Sequence, residues 1–185
     1  MDSSKVNLWK SVPGWLTDAE AHILQVLAYN KVCLEIGSYL GKSTVCMAAV
    51  AKKVVAIEPH NSGTDGQKVL GGFTTLFQYA NHVEPFSNIT SIIGISDDVL
   101  PLLAKRSFDF IFIDGLHTYE QVTKDYLNSI ELLGGHDVAI AFHDYETPYY
   151  DGIKKFVKEL PHFDTGVVVD SLIYFHYQGV DPCKR

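Results

Sequence analysis

Leu34-Glu35-Ile36-Gly37-Ser38-Tyr39-Leu40-Gly41-Lys42-Ser43-Thr44 is the stretch that decides the architecture. The apolar run from Lys31 to Ile36, with one acid in it, reads as a buried strand. Gly37 to Gly41 breaks that run, and Lys42 to Ala51, rich in small residues, reads as a helix. Strand, glycine turn and helix in succession open a doubly wound α/β sheet. They also make a ligand site by physical necessity: the first N–H groups of the helix are unpaired, and glycine lets a ligand approach the backbone.

Three ligands compete for such a turn. A nucleoside triphosphate needs four residues between the glycines of its loop; here there are three, with Ile36 in the place of the first glycine. Glu35 at the strand end would also repel the phosphates. A dinucleotide needs a second glycine where Tyr39 stands, and a tyrosine side chain obstructs a pyrophosphate. S-adenosylmethionine carries no phosphate. Its ammonium suits Glu35, and its carboxylate suits the amides of Gly37, Ser38, Gly41 and Ser43. Glu58 ends the next strand about twenty positions after Gly37, where a carboxylate accepts both ribose hydroxyls. Ser96 and Asp97, after the third strand, are candidates for the adenine edge.

The rest of the chain alternates in the same way. Thr17-Asp18-Ala19-Glu20 has the form of a capping box opening a helix over 18–29. Strands are expected at 31–36, 53–57, 89–95, 108–113 and 138–142. Helices are expected at 42–51, around 73–82, at 98–105, after Thr118 (paired with Gln121 as a second capping box) and over 153–160. Residues 61–72 read as a loop, and 167–169 with 172–177 as a closing hairpin. Continuous apolar strands between helices mean a mostly parallel sheet covered on both faces; the hairpin adds an antiparallel edge strand. The expectation is one α/β, Rossmann-like domain over 1–185, with a lead and helix at 1–30 and the core at 31–185.

Ligands of an open parallel sheet bind beyond the carboxyl ends of its strands. Asp114 and His117 follow the fourth strand there, and His143 and Asp144 the fifth. Each alone reads as turn chemistry, but four such groups at two strand ends point to a site. Asp114, His143 and Asp144 are candidate ligands for a divalent cation such as Mg²⁺ or Mn²⁺. Asp114 and His117 are the candidate catalytic pair, His117 as the base that takes a proton near neutral pH. Tyr149 and Tyr150 follow in a loop that can wall a substrate pocket.

Composition narrows the class. The 185 residues are 46% hydrophobic and 20% charged, with a net charge of -7. A polyanion is repelled on average, which argues against nucleic acid. No stretch approaches a membrane span and the N-terminus lacks a signal core, so a cytoplasmic protein is expected. Cys33, Cys46 and Cys183 lack metal-ligand spacing and suit a reducing compartment.

Gly14-Trp15-Leu16 with the following helix, LEIGSYLGKST, VVAIEP, FDFIFIDGLHTYEQVTKD, LLGG and IAFHDY, in that order over about residues 12–160, resemble the class I methyltransferases of methyltransferase family 24, which includes sugar and antibiotic O-methyltransferases. A more distant resemblance is to the catechol O-methyltransferase group. The resemblance implies a seven-stranded sheet of order 3-2-1-4-5-7-6 and methylation of a small-molecule acceptor, a sugar or phenol. Glu35, Gly37 and Gly41 fall on the family's first cofactor motif, Glu58 on its ribose acid and Asp114 on the first metal aspartate of the metal-dependent relatives. His117 stands where the catechol enzymes carry a catalytic lysine, and His143 replaces an acid, a change that suits Zn²⁺ or Mn²⁺ better than Mg²⁺. Many relatives pair, so the resemblance also allows a homodimer. The competing classes are a relative that binds the cofactor without methylating, and a nucleotide-binding protein.

Overall fold

The computed structural model describes residues 5–60 and 72–179. The loop expected over 61–72 therefore lies outside the described residues except for Gly72, as does Cys183. α1 (Asp18–Ala28) starts at the expected capping box: Thr17 Oγ1 accepts from the Glu20 N–H, and the Glu20 carboxylate accepts from the Thr17 N–H. Next come β1 (Val32–Ile36), α2 (Lys42–Ala48), β2 (Lys53–Glu58), α3 (Gly72–Val83) and β3 (Ile89–Ile93). α4 (Ser96–Val99), β4 (Phe110–Ile113), α5 (Tyr119–Ile130), β5 (Asp137–Phe142), α6 (Gly152–Lys158), β6 (Val167–Val169) and β7 (Leu172–Gln178) complete the order.

The helix expected over 98–105 is displaced. It begins at Ser96 and gives way to a 3-10 turn at Leu100–Leu102. Pro101 has no N–H for a continuing α ladder, so the segment tightens and stops.

All seven strands form one sheet in the order β3-β2-β1-β4-β5-β7-β6. β1 to β5 pair in parallel; β7 runs antiparallel to β5, and β6 antiparallel to β7. The period of two sends alternate side chains to opposite faces. Leu34, Ile36, Ile111, Ile113, Ile140 and Phe142 pack on one face with Val122 of α5 and Phe156 of α6. Cys33, Phe110, Phe112 and Ala139 pack on the other with Leu24 of α1, Met47 of α2 and Trp9 of the N-terminal segment. Both faces are covered, which is why the strands read as unbroken apolar runs rather than alternating ones. Among the described residues no helix is long and apolar enough to cross a membrane.

β1 and β4 are neighbours at the centre of the sheet, with β2 on one side and β5 on the other. The loops after these four strands therefore open on the same edge, where the candidate site lies. Phe142 is fully buried and makes ring contacts with Phe156 and Phe175. Phe142→Ala is expected to cost about 3–5 kcal/mol, and Leu102→Ala, at a side chain 84% exposed, to stay within about 0.5 kcal/mol. Denaturant unfolding of the two variants beside the parent checks both values.

Candidate active site

A cavity of about 660 Å³ opens along the carboxyl ends of β1, β2, β4 and β5. Its first wall is the turn after β1. Gly37 has φ 89°, and a Cβ there would lie 2.1 Å from the carbonyl oxygen of Asp114, so only glycine fits. Gly41, with φ 88°, is the N-cap of α2. Glu58 braces the same turn. Its Oε2 accepts from the Tyr39 N–H at 3.0 Å and its Oε1 from the His60 N–H at 3.1 Å. Tyr39 and His60 both hold left-handed backbone, with φ 45° and 49°.

Gly37, Ser38, Ser43, Glu58, Ser96, Asp97 and Asp114, all expected at the ligand, line this cavity. Glu35 does not. It is fully buried beneath the turn, and the hydroxyls of Ser43 and Thr44 each donate to one of its oxygens. Glu35 thus faces away from the cavity, and Ser43 stands at the wall and donates to its carboxylate. Gly41 also stays off the wall; its part is to turn the chain into α2. Burial pushes Glu35 up to about 8 against the two hydroxyl donors, and the nearby Asp114 and Glu58 push the same way.

The strand-end cluster lines the same cavity. Asp114 Oδ1 lies 3.5 Å from His117 Nε2 and 3.5 Å from His143 Nδ1. Asp144 Oδ2 lies 2.9 Å from His117 Nε2 and 3.6 Å from His143 Nδ1. The four predicted groups do meet. Asp114, His143 and Asp144 each present one ligand atom, all within 4.8 Å of one another, a set that can hold a metal ion. Burial opposes charge on both rings, but the carboxylates win: His117 is pushed up to about 9, and His143 well above the ordinary imidazole value. Burial likewise opposes charge on Asp144 and Asp114, yet both are held low by the two histidines. His117, expected to titrate near neutral pH, is thus an imidazolium at that pH. Its contacts to the two aspartates are ion-pair contacts rather than aligned hydrogen bonds, and its ring stacks on Tyr150 at 4.4 Å and 11°.

Four lining or supporting residues escape a reading of the sequence. Trp15, exposed and tilted against Tyr39 at 5.7 Å, adds an aromatic wall from the N-terminal segment. Gln121 and Asp125 face the cavity from α5. Thr118 caps that helix through the Gln121 N–H, but the Gln121 side chain does not return the bond. It donates instead to Asp97 at 2.8 Å, Asp125 at 3.1 Å and Ser96 at 3.3 Å. Glu20 is the fourth: its Oε2 lies 3.4 Å from His143 Nε2. Capping-box patterns accounted for Glu20 and Gln121 in the sequence, and so hid their second contacts. Tyr149 and Tyr150 both line the cavity.

A doubly wound sheet of this order, with a glycine turn after β1 and an acid ending β2, defines the class I methyltransferase architecture. A family model described as "Methyltransferase domain", that of methyltransferase family 24, matches residues 34–145. The chain belongs to this family of class I, S-adenosylmethionine-dependent methyltransferases. Solved structures share the fold. The O-methyltransferase TomG of Streptomyces achromogenes, solved in complex with S-adenosylmethionine, aligns with a TM-score of 0.65 at 14% identity over 96% of this chain and 89% of its own. An O-methyltransferase of Bacillus cereus in complex with S-adenosylhomocysteine gives 0.62 at 16%, over 95% and 88%. A putative caffeoyl-CoA O-methyltransferase of Staphylococcus aureus gives 0.66 at 16%, over 94% and 88%. Among curated proteins none matches the chain by sequence.

Glu35 carries a pH signature. Its folded-state value near 8 lies above the ordinary 4.5, so the folded protein binds a proton that the unfolded chain has released between these values. Its contribution is complete below pH 4.5 and is lost as pH rises towards 8. Glu35→Gln, which keeps the shape and cannot ionise, is expected to flatten that part of the stability profile in urea unfolding across pH 5–8. Parallel profiles for parent and variant would mean that Glu35 is ionised throughout.

Proposed function

We propose that the protein transfers the methyl group of S-adenosylmethionine to a hydroxyl oxygen of a small molecule, a sugar or a phenol, at the Asp114–His117–His143–Asp144 cluster. The observation that carries this reading is the position of that cluster: it lines the same cavity as Gly37, Ser38, Ser43 and Glu58. The complexes of TomG and of the Bacillus cereus enzyme with the cofactor or its product support the same choice of ligand.

The residues fit the cofactor. Gly37, half-buried, lines the cavity with Ser38 and Ser43 beside Glu58. Glu58 takes the ribose hydroxyls, and the Ser96, Asp97 and Gln121 group takes the adenine edge. The cofactor supplies an electrophilic methyl group on a sulfonium. The chain supplies position and charge, the two means by which such displacements are accelerated.

The donor set of Asp114, His143 and Asp144 also fits a divalent cation, Mg²⁺, Mn²⁺ or Zn²⁺, which would lower the pKa of a coordinated acceptor hydroxyl. Two carboxylates and one imidazole favour the latter two. His117 is the base of this reading. In the absence of other cations its ring already holds a proton between Asp114 and Asp144; once their charge is engaged elsewhere, the reason for its raised pKa falls away and the ring can accept the acceptor's proton. Tyr150, stacked on His117, fixes the plane of the ring.

S-adenosylhomocysteine release from S-adenosylmethionine, measured over a panel of phenols and sugars with and without Mn²⁺, tests the proposal. His117→Ala is expected to lower turnover about 10²–10⁴-fold while product affinity stays unchanged. Turnover that survives His117→Ala, Asp114→Asn and Asp144→Asn alike would place the chemistry elsewhere.

A further inference from the structure

α1 contributes a residue to the strand-end cluster although it lies outside the family match at 34–145. Glu20 is fully buried, and both its oxygens are fixed. Oε1 accepts from the Ser171 N–H at 2.9 Å and from the Ser171 hydroxyl at 2.7 Å. Oε2 accepts from the Thr17 N–H at 2.9 Å and faces His143 Nε2 at 3.4 Å. Three donors, two of them backbone, lock a carboxylate in place on the side of His143 away from the cavity. The other ring nitrogen, Nδ1, points at Asp114 and Asp144. A helix cap alone does not call for a carboxylate with no solvent exposure, lodged between an N-terminal helix and the β6–β7 turn.

We propose that Glu20 is the positioning residue of the metal site: it receives the Nε2 proton of His143 and so leaves the Nδ1 lone pair free to bind a divalent cation beside Asp114 and Asp144. This inference rests on the cation reading given above. The physical logic is that a metal-binding imidazole uses one nitrogen on the ion and donates through the other, and that the partner of the second nitrogen sets both tautomer and ring orientation. Glu20 is placed to accept on that side and, when ionised, has nothing to donate.

Glu20→Gln reverses the logic with little change of shape. In either orientation the amide NH₂ is set against a backbone donor: against the Thr17 N–H, and facing His143, when Ser171 keeps the amide oxygen, or against the Ser171 N–H when the amide is reversed. In the first case Nε2 must accept, the ring proton moves to Nδ1, and Nδ1 no longer has a lone pair for the ion; in the second the amide is pushed from its place and Nε2 keeps only a neutral acceptor. Mn²⁺ titration of the whole protein, read by the loss of the free-ion EPR signal and requiring no turnover, tests this. Glu20→Gln is expected to weaken Mn²⁺ binding about 10–100-fold. Thr17→Ala removes the cap hydroxyl but keeps the backbone donor to Glu20; it is expected to lower stability and leave Mn²⁺ affinity unchanged. If Glu20→Gln does not fold, Ser171→Ala takes its place: it removes the hydroxyl donor to Oε1, keeps the backbone one, and is expected to weaken affinity by a smaller factor. Equal Mn²⁺ affinity in the parent and in folded Glu20→Gln, or in Ser171→Ala when that variant stands in, overturns the role of Glu20 and leaves the cation reading standing. A parent protein that binds no Mn²⁺ overturns both.

Discussion

The backbone of β1 touches the backbone of β4 where the two strands end. The Asp114 N–H donates to the Ile36 carbonyl at 2.8 Å, the Gly37 N–H donates to the Ile57 carbonyl at 2.9 Å, and the space at Gly37 is closed by the Asp114 carbonyl. Three strand ends are thereby latched at one point. From it the chain after β1 turns through left-handed backbone into α2, and the chain after β4 delivers Asp114 to the cavity. The glycine turn and the strand-end cluster are thus two sides of one contact, and a side chain at position 37 would push them apart.

Beyond that contact, charge balance decides what the site can be. Asp114, Asp144 and Glu20 meet His117 and His143 in a space where unpaired charges are costly. Both imidazoles respond by keeping their protons, and Asp114, Asp144 and Glu20 by losing theirs. The arrangement is stable as found and is poised for exchange: protons held only by neighbouring carboxylates leave when another cation takes those carboxylates. Glu35 shows the opposite outcome. It is buried among hydroxyls and other acids with no cation beside it, and it keeps its proton to about pH 8.

The order of strands and helices was legible because this sheet is covered on both faces, so each strand is an uninterrupted apolar run with glycine or acid at its end. The strand-end residues Asp114, His117, His143 and Asp144 were legible for the same reason: in parallel strands, position in sequence fixes the edge on which a residue emerges. Glu35 misled because sequence places it at a strand end without saying which way the side chain points; it points under the turn, to Ser43 and Thr44. His117 misled because its pKa depends on two carboxylates, and their distances are set by folding. Glu20 and Gln121 stayed hidden because a local capping pattern is a sufficient reason for an acid or amide at the third helical position. Their partners, Ser171 and His143 for one and Asp97 for the other, are distant in sequence. The displaced helix at Ser96 is a plainer case: Pro101 lacks the N–H that a longer helix needs, so the helix ends before the apolar pattern does.

The central claim is that the cavity between the Gly37 turn and the strand-end cluster is built for S-adenosylmethionine and not for a phosphate-bearing nucleotide. Calorimetric titration of the purified protein with S-adenosylhomocysteine, beside an identical titration with ATP, tests it most directly. The account predicts saturable binding of the former at micromolar concentrations and no heat of binding from the latter. A folded protein that binds ATP, or that binds neither, would contradict it.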